Sequence, residues 1–400
     1  MIRFIIQFFI ECQRKEWRKA LKRQVGNFGL KLMLALATLI GAFAITPGQL
    51  ILAATDHQIE EIKAVNSYLP EDINKHWAAD TLYDLIHADI VKGYVDREGQ
   101  VTIQPDKRVT RAEFVALLVN TLGLQKNKEQ DPISFSDIEP NEWYYEPVNI
   151  ASSLGIVKGV GRTVFGPNRY ITRGEIAALI TRAFAYTVAF DETKAKHFKD
   201  VGQGYWASRE VAKASSVKII NGYPGGYFKP FEYATRAEAM VMLSHALYLE
   251  ENAVASDKTL LEVVRTANEK EERAFQALDI ASLKEIGAKH YTGYRKATHD
   301  LTVAVLQKLK EEGYTVQITC EGKLEAQVIG KWNRIAVVEV NGLTYRLKAV
   351  KDGEELQSVQ HVKGMVMLKK GPMMNEWRVY TSDVPLLVTK KMLSVLETQS

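Results

Sequence analysis

Apolar positions recur at helical intervals in the stretch HWAADTLYDLIHADIV, where Trp77, Leu82, Leu85 and Ile86 predict an amphipathic helix. Equivalent helices are expected to start at Trp143 and Trp206. Further downstream, Val115, Leu118 and Val119 mark the inner face of a second helix, as do Ile176, Leu179 and Ile180, and then Met240 and Leu243. Between the helices, Gly93, Gly159 and Gly222 are read as helix stops. The loops that follow carry Ile103, Phe165 and Phe228, each two residues before a proline. The unit is helix–loop–helix, and it occurs three times. A pair of short helices buries too little alone, so three units are expected to share one core.

The pattern changes near residue 257. Leu260, Leu261, Val264, Ala267, Ala274 and Leu278 place a helix over 258–280; a short helix follows near Leu283 to Ile286, and a longer one from about Tyr294 to Glu312. Beyond Gly313 the period falls to two. YTVQITCEG, KLEAQVIG, NRIAVVEVNG, LTYRLKAVKDG, HVKGMVMLKK and EWRVYTSD read as six strands punctuated by Gly and Asn-Gly turns.

The repeat extends to single residues. Asp72, Asp137 and Asp200 precede Trp77, Trp143 and Trp206 by five or six positions, and each of the three glycines lies sixteen residues after its Trp. Pro105, Pro167 and Pro230 each lie five residues before a threonine that opens VTRAEF, ITRGEI or ATRAEA once its preceding residue is included. Thr110, Thr172 and Thr235 at N-cap, with Glu113, Glu175 and Glu238 at N3, form capping boxes, and the carboxylates also suit the helix dipole. Arg111, Arg173 and Arg236 are the unexplained part, because a cation at N1 opposes that dipole. Two readings stand: an ion pair with each copy's own acidic neighbours, or an anion site built from the guanidinium and free helix N–H groups.

Charge is uneven along the chain. Residues 1–54 hold eight Lys/Arg against two Glu, which turns the formal +4 of the whole chain into a slightly acidic body and argues against a general nucleic-acid binder. The positive stretch from Arg14 to Lys31 precedes LMLALATLIGAFA, the order of a secretory leader, with cleavage after Ala44 or Ala54. The alternative is a retained anchor over Leu30 to Ala54, which would be the chain's membrane contact. Either way the remainder leaves the cytoplasm. Cys12 lies in the leader and Cys320 stands apart, so neither a disulfide framework nor a metal-ligand spacing is expected.

The Asp-Ile/Val, Trp, Gly-Tyr and Thr-Arg-Ala-Glu marks resemble the S-layer homology module in three tandem copies. The resemblance implies a mainly α N-terminal module, three helix–loop–helix repeats in a pseudo-three-fold spindle over 70–124, 135–186 and 198–249. It also implies a secreted protein of the cell surface, bound without covalent linkage to secondary cell-wall polysaccharide or peptidoglycan-linked polymer that often carries ketal-pyruvate. Carried over by position, Arg111, Arg173 and Arg236 would bind the acidic group. Trp77, Trp143, Trp206, Asp72, Asp137 and Asp200 would line or brace the grooves, with Gly93, Gly159 and Gly222 counted in the same site. Core burial is the competing reading for each Trp, and a helix-start cap for each Asp. Copy two departs from the pattern at Gly174 and Val160, and copy one at Asp89 and Ile103.

Residues 257–400 form an α+β domain, three helices and an antiparallel curved sheet, whose element order resembles the NTF2-like fold. Such a cone can host acid/base chemistry, for which His290, Tyr291, Tyr294, His299 and Asp300 are the candidates. The sequence carries no hydrolase, P-loop or zinc motif. A non-enzymatic role without cofactor is therefore expected, in binding, assembly or self-association through the open sheet; the alternative is a wall-anchored enzyme acting on envelope glycans or a small molecule.

Overall fold

The computed structural model describes residues 56–97, 99–371, 376–384, 386–388 and 392. The expected leader, its cleavage sites and the alternative anchor lie outside the described residues. Among the described residues, no helix is long and apolar enough to cross a membrane.

Helix α1 (Asp56–Asn66) precedes the repeats. The three units follow: α2 (Ala79–His87) with α3 (Arg111–Leu122), α4 (Tyr145–Ser153) with α5 (Arg173–Ala183), and α6 (Ser208–Ser216) with α7 (Arg236–Leu247). The first unit also holds a short hairpin, β1 (Tyr94–Val95) paired with β2 (Val101–Thr102), inside its longer loop. One apolar core serves all three units: Leu85 and Phe114 of the first, Val148 and Ile176 of the second, and Val211 and Leu243 of the third belong to the same buried cluster.

The first helices begin later and end earlier than their apolar spacing suggests. Trp77, Trp143 and Trp206 precede helices that start at Ala79, Tyr145 and Ser208. The left-handed residue that turns the chain after each helix is Asp89, Gly155 or Lys218 (φ 54°, 69° and 63°). Gly93, Gly159 and Gly222 lie farther on and are not helix stops. They are small because the loop backbone presses on them: a Cβ would overlap Thr102 O or Val101 at the first, Gly161 O at the second, and Tyr227 O or Phe198 at the third.

The C-terminal part contains α8 (Asp257–Gln276), α9 (Ile280–His290) and α10 (Gly293–Glu311), followed by one antiparallel sheet in the order β3-β4-β5-β6. Its strands are Thr315–Lys331, Ile335–Lys351, Glu354–Lys370 and Trp377–Ser382. Among the described residues there are four strands here where six were expected, because two of the anticipated turns are bulges. Gly322 (φ 93°) and Gly342 (φ 91°) face each other at register breaks and bend long strands that continue through them. Asn341-Gly342 carries the letters of a two-residue hairpin, yet β4 runs straight on; Asp352-Gly353 (φ 48° and 86°) makes the actual β4–β5 turn.

The inner face of the sheet, including Val338, Val340, Leu347 and Leu368, packs with Val264 of α8 and Leu301 and Val305 of α10. Val65 of α1 is buried in this same cluster, with Ile62, Tyr68 and Leu69 packed against it. The chain therefore enters through its C-terminal domain's core before it builds the repeats.

The two parts meet along a largely polar seam. Asp84 of α2 accepts hydrogen bonds from Tyr248 (2.6 Å) and Tyr380 (2.7 Å). The His87 ring stacks on Tyr294 at 4.3 Å, and its Nδ1 lies 3.2 Å from the Thr381 hydroxyl. Burial pushes His87 down to about 3, so the ring sits there neutral. Arg334 pairs with the buried Glu250, and Lys369 donates to the Ala88 carbonyl. Gly293 (φ 56°) has no room for a side chain beside the His87 carbonyl.

Within the C-terminal domain, Glu271 of α8 receives Arg295 Nη2 (2.8 Å) and His299 Nδ1 (2.8 Å) from α10. Burial works against the carboxylate, but Arg295 and His299 outweigh it and hold Glu271 at about 2.

Two outcomes follow from these contacts. Asp84→Ala strands the hydroxyls of the buried Tyr380 and the half-buried Tyr248, so the urea midpoint should fall by the equivalent of about 1–3 kcal/mol at unchanged slope. The Glu271 pKa is lower in the folded chain than its usual 4.5, so its contribution is full above that pH and is lost as pH falls toward 2. Stability measured against pH should drop across that window in the wild type and stay flatter in Glu271→Gln.

Candidate functional site

All three capping boxes are present. Each threonine hydroxyl accepts from the N3 amide, and each glutamate reaches back to the N-cap amide. The remaining first-turn amides are also occupied, and by a neighbouring copy. Arg111 N donates to Arg169 O (2.8 Å) and Ala112 N to Pro167 O (3.1 Å). Arg173 N and Gly174 N do the same toward Glu232 O and Pro230 O, and Arg236 N and Ala237 N toward Lys107 O and Pro105 O. Val109, Ile171 and Ala234 close a ring on the axis, in which Val109 N donates to Ala234 O, Ala234 N to Ile171 O, and Ile171 N to Val109 O. The expectation of free helix N–H groups is thus corrected: no first-turn amide of these helices is left for an anion, because the next copy's proline loop takes N1 and N2.

The arginines follow the same direction around the ring. Arg111, Arg173 and Arg236 are only 4%, 6% and 9% exposed. Arg111 Nη1 pairs with Glu175 Oε1 at 3.2 Å and Arg173 Nη1 with Glu238 Oε1 at 2.6 Å. Arg236 Nη1 reaches the Tyr94 hydroxyl at 3.1 Å, and that hydroxyl donates to Glu113 Oε1 at 3.3 Å. Two arginines meet the capping glutamate of the next copy directly, and the third returns to that of the first copy through Tyr94. The expected pairing with each copy's own acidic neighbours is corrected to this cyclic one, which only tertiary closure creates.

The three grooves differ. Arg173 and Arg236 lie 4.7 Å from the Tyr223 and Tyr94 rings, and their Nε atoms donate to Phe228 O and Ile103 O. Copy two has Val160 in place of that tyrosine. Arg111 there lies 5.0 Å from Phe165, donates to Lys158 O (2.7 Å), and keeps a buried Nε without a hydrogen-bond partner among the described residues. Burial pushes Arg111 down to about 10 against the pull of Glu175, while Arg169 also pairs with Glu175 and adds to the positive field. Gly174, the other departure in copy two, makes room for the Tyr205 hydroxyl of copy three, which a Cβ would overlap. The positions matching Tyr205 in the other copies are His76 and Glu142, and by the same cyclic order the positions matching Gly174 are Ala237 and Ala112 respectively.

The other expected site residues separate into two roles. Trp77, Trp143 and Trp206 are 65%, 61% and 58% exposed, which overturns the core-burial reading. Arg182 lies 5.8 Å from the Trp206 ring, and Tyr205 packs between Trp206 and Phe231. Asp72, Asp137 and Asp200 are clamps on the loops rather than helix caps. Their carboxylates accept from Ile103 N and Gln104 N, from Phe165 N and Gly166 N, and from Phe228 N and Lys229 N, all between 2.7 and 3.1 Å. Those amides immediately precede the prolines whose carbonyls close the ring. Residues that sequence reasoning passed over include Arg108, Tyr170 and Tyr233, each two before its threonine. Arg108 lies 5.2 Å from Tyr233 and 5.7 Å from Tyr170 at the exposed end of the axis.

The five catalytic candidates do not converge. Tyr294 belongs to the seam with His87; Asp300 pairs with Lys296; His290 lies half-buried with Lys270 and Lys289 nearby. Only Tyr291 and His299 share a cavity. Among the described residues no group of His, Cys, Asp and Glu is placed to hold a metal ion.

The S-layer homology domain model matches residues 71–115, 134–177 and 197–240, the three units just described. This chain carries three tandem S-layer homology domains. It is 34% identical over 175 residues to the exoglucanase XynX of Acetivibrio thermocellus, which covers 43% of this chain and 16% of that protein. It is 24% identical over 378 residues to the S-layer protein sap of Bacillus anthracis, and 23% over 384 residues to an S-layer protein of Bacillus thuringiensis subsp. finitimus. Each of those two alignments covers 87% of this chain and 45% of the relative. The chain spans less than half the length of these curated relatives.

The complementarity of copies two and three is open to test. Gly174→Ala should cost about 1–3 kcal/mol in thermal or urea unfolding, the range of an overpacked contact. Adding Tyr205→Ala to Gly174→Ala should recover stability lost to the overlap, as a double-mutant cycle would show.

Proposed function

We propose that this chain is a cell-surface protein held non-covalently on the bacterial cell wall by its three S-layer homology domains, which bind an anionic secondary cell-wall polysaccharide. The observation that carries this reading is the threefold repetition of an exposed indole together with an N1 arginine held at the boundary between successive copies. Sugar rings stack on aromatic faces, and guanidinium selects carboxylate such as a ketal-pyruvate. Three indoles more than half exposed would be a liability on a surface without a partner. The relatives named as S-layer proteins align well beyond the repeats, which supports a surface protein rather than a carrier of one of the glycosidases.

The grooves are unequal receptors in this reading. Arg173 and Arg236 have their charge answered by Glu238 and, through Tyr94, by Glu113. The Arg111 groove combines the unpartnered Nε with Arg169 beside Glu175, and it is the groove we assign to the acidic group. Asp72, Asp137, Asp200 and the three glycines act as braces in this proposal, holding the loops rather than touching sugar. The C-terminal domain, within the bounds 257–400 and joined by α1, serves binding or assembly. Its helix order and bent sheet are what support an NTF2-like arrangement for it.

Arginine substitution would disturb the ring as well as the ligand, since it leaves a capping glutamate without its partner. The exposed indoles separate the two effects. Trp77→Ala, Trp143→Ala and Trp206→Ala combined should leave the melting temperature within a degree or two and abolish co-sedimentation with purified wall sacculi. Undiminished sedimentation of the triple variant, or equal binding to sacculi stripped of pyruvyl groups, would sink the proposal.

A further inference from the structure

The C-terminal domain holds a partly open cavity of about 90 Å³ between α8, α10 and the inner face of the sheet. At roughly 15 Å³ per water-sized occupant this is space for a ligand of a few heavy atoms. Val264, Val340, Val362, Val366, Val379 and Leu387 supply apolar wall. The polar groups gather at Glu271, Tyr291, Arg295, His299 and Tyr345, of which Glu271, His299 and Tyr345 are 6%, 0% and 3% exposed.

The charge of that polar end follows from its hydrogen bonds. His299 Nδ1 lies 2.8 Å from Glu271 Oε1, and Nε2 lies 2.8 Å from the Leu283 carbonyl. Both partners are acceptors only, so both ring nitrogens must donate, and the imidazolium alone does this. Among the residues lining the cavity, Glu271 is the single carboxylate, against the Arg295 and His299 cations. The lining therefore holds a buried charge of one positive unit. Both Glu271 oxygens already accept from Arg295. The Tyr345 hydroxyl is buried with only the cross-strand Cys320 thiol, a weak hydrogen-bonding group, beside it, a poor match that a native core rarely carries unrelieved.

The geometry points to this cavity as a binding site for a small amphipathic monocarboxylate, its carboxylate on Tyr345 and the Arg295–His299 side and its short apolar body among the valines. A monoanion neutralises the lining; a dianion such as phosphate would leave a buried charge of the opposite sign and find apolar walls where it needs donors. A neutral alcohol of the same shape meets the walls but not the charge. The site shares no residue with the wall-polymer grooves, so its occupancy is separate from wall attachment.

Titration of the whole chain with sodium butyrate, 1-butanol and butylammonium at fixed ionic strength tests the assignment. Butyrate should bind saturably and shift the ring NMR signals of Tyr345, Tyr291 and His299. Butanol should bind at least tenfold more weakly, and butylammonium not at all. Tyr345→Phe, which keeps the shape, should weaken butyrate roughly tenfold, about 1.4 kcal/mol. Equal binding of butanol, binding of butylammonium, butyrate heat without movement of those ring signals, or an unchanged affinity in Tyr345→Phe each overturns the proposal. Should that variant fail to fold, the wild-type ring shifts decide the question on their own.

Discussion

Every helix begins with backbone N–H groups that its own ladder cannot satisfy, and in this protein the helices that open with Thr-Arg-x-Glu solve that problem only as a set of three. The threonine and glutamate look after two amides locally. The N1 and N2 amides go to carbonyls at and just after the proline of the next copy, and the third copy's partners belong to the first. A single unit, or two, would leave buried donors exposed to the core at one end. Closure is therefore a hydrogen-bonding requirement as well as a way to share apolar surface, and the aspartate clamps that shape each proline loop are part of it.

The arginines add a second circuit on top of the first. A guanidinium at N1 is unfavourable beside its own helix dipole, but here it faces the capping carboxylate of a different helix. Where copy two replaces tyrosine by Val160, Arg169 takes up Glu175 instead, and where it replaces alanine by Gly174, Tyr205 fills the space. The first departure is answered within copy two itself and the second across its boundary with copy three. The tryptophans take no part in these circuits and stand exposed at the surface.

The C-terminal domain is not simply appended. Helix α1 is in its core although it precedes the repeats, so the three domains are inserted between two segments of one unit. Asp84, His87 and Gly293 fasten the seam through hydrogen bonds, ring stacking and close backbone approach.

The repeat, its capping boxes and the change from helical to strand period were legible in the sequence because each depends on residues a few positions apart. The marks at Asp72, Trp77, Gly93, Pro105 and Arg111, and their equivalents, were equally visible, but their roles were not. Whether an indole is buried or bare, whether a carboxylate caps a helix or clamps a loop, and which glutamate an arginine meets are settled by partners some 30 to 140 residues away. The Asn341-Gly342 pair shows the same limit, since its local letters specify a turn and the facing Gly322 makes it a bulge. The cavity of Glu271, His299 and Tyr345 is drawn from two helices and a strand and leaves no motif at all. The sequence by itself thus determined the units and their number; the ring, the seam and the buried charge were decided by tertiary structure, because hydrogen-bond partners and burial are properties of distance in space rather than along the chain.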